Sequence, residues 1–210
     1  MRLLANFSIL IGVLLFTSCI KHEVIPAPTK LVDLPASFIG ALDGATYEII
    51  KDVDGYYCQA DQSKILNPSP AMSTIIYHST LRSDEKVDYM RLEIGSLKFN
   101  QDNGLDASLN DFDDFFTSEL TRDFTDGAVD GVRIFFQDGD GKIWISDPSS
   151  PTNSFVFTKL SQESDENGDY MKFTAKFNVT LLFDTDDVDH PNYGATRQID
   201  AGIFQGFFKR

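Results

Sequence analysis

The stretch Tyr170-Met171-Lys172-Phe173-Thr174-Ala175-Lys176-Phe177-Asn178-Val179-Thr180-Leu181-Leu182-Phe183 decides the fold. Phe173, Ala175, Phe177, Val179, Leu181 and Phe183 alternate with Lys172, Thr174, Lys176, Asn178 and Thr180. Successive side chains of a strand point to opposite faces, so the alternation predicts one dry face and one wet face, as in an antiparallel sheet. Shorter runs of similar character cover Phe38–Leu42, Thr46–Lys51, Met72–Ser79, Asp88–Phe99, Val132–Phe136, Ile143–Ile145, Ser154–Leu160 and Arg197–Phe208. Between apolar runs stand Asp43-Gly44, Asp54-Gly55, Asp140-Gly141 and Asn167-Gly168, the pairs that two-residue hairpin turns with positive φ favour. About nine or ten strands are too many for one flat sheet covered on one face, so the expected class is all-β. The arrangement expected is an antiparallel β-sandwich, jelly-roll-like, of two packed sheets.

One segment breaks the period of two. Leu109, Phe112, Phe115, Phe116 and Leu120 fall near helical spacing, with Ser108 placed to cap and Asp111 three residues on. This predicts one short amphipathic helix lying against an end of the sandwich. Residues 37–210 suffice for one domain with a substantial core, to which most of the 18 phenylalanines are expected to contribute.

The chain opens differently. Arg2 is followed by a run from Leu3 to Phe16 that is apolar except for Asn6, Ser8 and Gly12. A bilayer span needs ~20 apolar residues, so the run is too short for one and fits a secretory signal. Leu15-Phe16-Thr17-Ser18-Cys19 then resembles the lipobox of bacterial lipoproteins. The resemblance implies a signal peptide over 1–18, cleavage before Cys19, and a diacylglycerol plus an N-acyl chain on Cys19. Three chains, at ~0.8 kcal/mol per buried CH₂, make the attachment permanent. Residues 19–36, with Pro26, Pro28 and Pro35, read as an extended stalk.

Val132-Arg133-Ile134-Phe135-Phe136-Gln137-Asp138-Gly139-Asp140-Gly141-Lys142-Ile143-Trp144-Ile145-Ser146 resembles a hairpin common in small Bacteroidota lipoproteins, and Ile199 to Phe207, with its Gly-x-Phe step, is similar to their closing strand. These resemblances imply a β-sandwich protein of the cell envelope and carry over no catalytic residue. Ile20 lacks the Asp that favours inner-membrane retention in enteric bacteria, which by resemblance points to the outer membrane, on its periplasmic or surface face.

Composition narrows the partners. A net charge of −14 repels phosphate backbones and anionic headgroups, which excludes nucleic acid and leaves the lipid on Cys19 as the membrane contact. Of the 2 cysteines, only Cys58 lies beyond the anchor, so stability must come from the core.

Candidate chemistry is sparse. Asp184, Asp186, Asp187 and Asp189 could gather around Ca²⁺ or form a solvated turn, and Asp138 and Asp140 begin like a calcium loop that Lys142 interrupts. No other cofactor is indicated. Cys58 and His78 could form a thiol–imidazole dyad, although a lone Cys is more often a small buried group. Glycoside hydrolysis needs two carboxyl groups ~5–10 Å apart, and neither Glu48 nor Glu93 has an acidic partner two residues on. Tyr89, Arg91 and Glu93 share a strand face that is either a sugar- or peptide-binding strip or a wet face with a salt bridge. Trp144 is either a stacking platform or packing. The expected role is a non-enzymatic binding or scaffolding module for an envelope protein or glycan; alternatives are a polysaccharide-active hydrolase and a Ca²⁺-stabilised adhesin.

The lipobox reading makes a direct prediction. A Cys19→Ala chain should partition with the soluble fraction after salt and carbonate washing of membranes, while the native chain stays in the pellet; equal retention of both would remove the anchor.

Overall fold

The structure, a computed structural model, describes residues 31–126, 130–185 and 187–210; the expected signal peptide, Cys19 and most of the stalk lie outside them. The elements are β1 (Ser37–Leu42), β2 (Ala45–Ile50), β3 (Tyr56–Ile65), β4 (Ser73–Ser83), β5 (Tyr89–Phe99), α1 (Leu109–Thr117), β6 (Gly131–Gln137), β7 (Ile143–Ser146), β8 (Ser154–Asp165), β9 (Gly168–Phe183) and β10 (Thr196–Lys209). The chain is mainly β, as the alternation predicts. Among the described residues no helix is long and apolar enough to cross a membrane.

The strands form one antiparallel sheet in the order β2-β1-β10-β9-β7-β6-β5-β4-β3, with β8 also on β9, and it is not closed into a barrel. Here the structure refines the expectation of two separate sheets. β9 pairs with β10 along one edge, while its other edge pairs with β8 up to Asn178 and then with β7 from Leu181. The two halves are thus hydrogen-bonded to each other through β9. They also pack across the core in sandwich-like fashion, since β10 lies against β3 and β4. Gly206 permits that approach: a Cβ there would stand 2.7 Å from Ser79 Oγ and 2.9 Å from Phe173.

The inward face of β9 is the one the sequence marks. Phe173, Ala175, Phe177, Val179 and Leu181 are all buried. Phe208 of β10 joins them, its ring stacked 4.7 Å from Phe173 and 4.8 Å from Phe116 and edge-on to Tyr77 and Phe157. Four strands and the helix meet on that ring. α1 starts as expected: Ser108 Oγ accepts from Asp111 N–H and the Asp111 carboxylate accepts from Ser108 N–H, a reciprocal capping pair. Its buried residues are Phe112 and Phe116.

The Asx-Gly pairs behave unequally. Asp43 (φ 53°) and Gly44 (φ 82°) turn β1 into its partner β2, and Asp140-Gly141 lies between the paired β6 and β7; between β8 and β9 the turn is Glu166-Asn167, and Gly168 is already paired with Asp165 as the first residue of β9. Asp54-Gly55 makes no hairpin, because β2 and β3 sit at opposite ends of the sheet. It instead turns the chain from one half to the other, with Tyr56 N–H donating to Val53 O and Asp52 N–H to Tyr56 O. β3 itself is absent from the strands expected from sequence. The last stalk residues run along the domain, Val32 N–H donating to Asp165 Oδ2 at 2.8 Å and Ala36 buried.

Because Phe208 is fully buried and its neighbours come from β4, β8, β9 and α1, Phe208→Ala should cost about 3–5 kcal/mol. Thermal unfolding should show a midpoint about 6–20 °C lower, at about 2–4 °C per kcal/mol for a domain of this size.

Candidate functional site

The outward face of β3–β6 carries the densest polar constellation. On β4, Ile75, Tyr77, Ser79 and Leu81 point into the core, which leaves Ile76, His78, Thr80 and Arg82 outside. Register then sets rows across the sheet. Asp61, His78, Glu93 and Arg133 stand side by side on β3, β4, β5 and β6, and Gln59, Thr80, Arg91 and Phe135 form the next row. Ser63 lies two residues beyond Asp61 on the same face of β3.

Contacts within this face are directional. Ser63 Oγ is 2.9 Å from His78 Nε2, and His78 Nδ1 is 3.1 Å from Glu93 Oε1, at ion-pair distance with its N–H off line. Arg91 Nη2 is 3.2 Å from Glu93 Oε1 and Arg133 Nη1 3.8 Å from Oε2. Both guanidinia also lie over the Phe135 ring, at 4.2 and 4.7 Å from its centroid. Glu93 is only 6% exposed beneath them. Burial alone would raise its carboxyl, but the His78 contact and the Arg91, His78 and Arg133 charges outweigh burial and hold it below the ordinary carboxylate value. Exposure thus falls from the open Ser63 through the half-buried His78 to the buried Glu93.

Beside this row a recess of about 390 Å³ is walled by Gln59, Thr80, Arg82, Lys86, Tyr89 and Arg91. Its rim, the connection from β4 to β5, is tied down. The Asp88 carboxylate accepts from the Tyr47 and Tyr56 hydroxyls, the latter at 2.7 Å, and burial followed by these hydrogen bonds pushes both tyrosines well above the usual phenol value. Ser83 Oγ donates to Asp54 O at 2.7 Å and accepts from Glu85 N–H at 2.9 Å, while Gln137 Nε2 donates to Val87 O at 2.9 Å. With Asp61, Asp88, Ser83 and Gln137 also on its wall, the recess gathers three cations against two carboxylates, together with two amides, two hydroxyls and an aromatic ring.

The other residues singled out by sequence fall as follows. Tyr89 and Arg91 line the recess and Glu93 lies under its neighbouring row. Trp144 is 7% exposed, its indole N–H donates to Asp138 Oδ2 at 3.0 Å and its ring meets Phe183 edge-on, so no ring face is left for a sugar. Asp138 is also spent locally, its Oδ1 accepting from Asp140 and Lys142 N–H. Cys58 is on the inward side of β3, 3.3 Å from Ser79 Oγ, and burial raises its thiol; His78 is on the outward side of β4, so the two form no dyad. Glu48 is exposed on β2, at the far end of the sheet from β3. Asp187 accepts from Asp189 N–H and its own N–H donates to Thr185, Asp184 N–H donates to Ile143 O, and Asp186 lies outside the described residues. Among the described residues no three His, Cys, Asp or Glu side chains gather closely enough to hold a metal ion.

Comparison of the chain with protein-family models, curated proteins and solved structures returns no match.

Glu93 supplies a pH prediction. Its folded carboxyl sits below the unfolded value of ~4.3, so its contribution is complete above that pH and is lost as pH falls through the folded value. Glu93→Gln should destabilise the domain by about 3 kcal/mol, the low end for a broken buried pair because both guanidinia keep some water. Urea unfolding between pH 3 and 6 should show a shallower pH slope in the variant; identical slopes would remove Glu93 as the coupled group.

Proposed function

We propose that this protein is an envelope lipoprotein, held to the outer membrane by lipid on Cys19 on its periplasmic or surface face, whose β-domain binds a glycan in the recess beside β3–β5. The recess carries the reading. Gln59 and Thr80 offer donors and acceptors to hydroxyls, Tyr89 offers a ring to the apolar face of a sugar, and Arg82 and Arg91 offer N–H donors to anionic oxygens. The tied rim supports preorganised binding, because little side-chain freedom is left to lose. Local cations within a net −14 molecule favour a ligand that is neutral or acidic over a basic one.

The test is retention of envelope glycans on the full-length lipoprotein in detergent, followed by titration of the best ligand. Tyr89→Ala and the exposed Arg82→Ala should each weaken binding about tenfold, equivalent to roughly 1.4 kcal/mol, without changing the melting midpoint by more than a few degrees. Failure of the native chain to retain any glycan, or equal affinity in both variants, would overturn the reading.

A further inference from the structure

We infer that Ser63 is an acyl-accepting nucleophile activated by His78, and that the chain cleaves carboxylic esters, the class of substrate being O-acylated sugars presented by the neighbouring recess. The substrate class rests on the glycan reading; the nucleophile does not.

Two observations converge. The Ser63 Oγ to His78 Nε2 distance of 2.9 Å is within reach for proton transfer, and the 3.1 Å contact from Nδ1 to Glu93 places a carboxylate behind the imidazole. The groups are graded from exposed hydroxyl to buried carboxylate, the order in which a nucleophile, its base and a positioning residue must stand.

The step balances with water as the co-reactant. Ser63 Oγ bonds to the acyl carbon as its proton passes to His78 Nε2, the ester C–O bond breaks, and the departing alkoxide takes that proton as the free sugar hydroxyl. Water then adds to the acyl carbon with a proton to His78, the carbon–Oγ bond breaks, Ser63 regains the proton, and a carboxylic acid leaves. Glu93 acts through His78 and is a positioning residue. The charged groups facing the imidazole are Asp61 on β3, Glu93 and Arg91 on β5, and Arg133 on β6.

The full-length lipoprotein in detergent is treated with an alkyl fluorophosphonate and, separately, with 4-nitrophenyl acetate. One adduct per chain, mapped to the peptide containing Ser63, is expected, with release of nitrophenol at least about 10²-fold faster than in Ser63→Ala or His78→Asn. Glu93→Gln should slow labelling and lower kcat for nitrophenol release while leaving KM unchanged, the signature of a residue that orients the base and does not touch substrate. The peptide map needs no variant, so a folding defect cannot mask the result. Absence of an adduct, an adduct elsewhere, or undiminished hydrolysis by Ser63→Ala overturns the nucleophile; if glycan is still retained, the binding reading stands. An adduct at Ser63 on a chain that retains no glycan supports the nucleophile and overturns its assignment to sugar esters.

Discussion

The fold depends on β9 using one of its edges twice. A strand of 16 residues pairs with β10 along one side and hands its other side from β8 to β7. Through that handover β7, β6, β5, β4 and β3 are joined by hydrogen bonds to β1, β2, β8 and β10, and the two halves can then bend toward each other over a common core. Phenylalanine fills the space between them, with Phe208, Phe173 and Phe116 stacked and Tyr77 and Phe157 edge-on. Offset and edge-to-face rings add to the area term, and burial of this kind supplies the main driving force where no disulfide is available. The small residue at Gly206 is the complement, since a Cβ there would stand 2.7 Å from Ser79 Oγ.

The consequence for the site is positional. With the inward faces committed to the core, the alternate residues of β3–β6 have no choice but to face out, and the register places carboxylate, imidazole, carboxylate and guanidinium in one row. Glu93 is the costly member. A buried carboxylate is tolerated because Arg91, Arg133 and His78 surround it, and the arginine stems and Phe135 keep water away. Such a network holds His78 in place whether the face binds, catalyses or does both. The recess shares this support, for Arg91 both contacts Glu93 and lines the cavity.

Much of the architecture was legible in the amino-acid order. The alternation at Phe173–Phe183, the Asp43-Gly44 turn and the Ser108–Asp111 cap each encode local geometry, and the structure shows each. β3 was not legible, and the reason is physical. As a terminal strand reading Tyr-Tyr-Cys-Gln-Ala-Asp-Gln-Ser-Lys-Ile it has little apolar contrast between its faces, and polar side chains are what a sheet edge tolerates. Missing β3 meant missing Gln59, Asp61 and Ser63, although Tyr89, Arg91 and Glu93 were visible on β5 as three outward residues. His78 was visible as a strand residue with Cys58 as its candidate partner; the register puts Cys58 on the opposite face and brings the unexpected Ser63 to His78 instead. Trp144 and Asp138 were ambiguous for a similar reason, since their mutual hydrogen bond spans a hairpin that sequence outlines without fixing side-chain direction.

Everything proposed for the outward face rests on that register, and a slip of one residue on β3 would exchange its two faces. Cross-strand backbone nuclear Overhauser effects test it most directly. The structure predicts contacts linking Asp61 with His78, His78 with Glu93, and Glu93 with Arg133 in a single row, with Ser63 opposite Ile76. A pattern that pairs Gln62 with His78 would instead turn Ser63 toward the core and contradict the account.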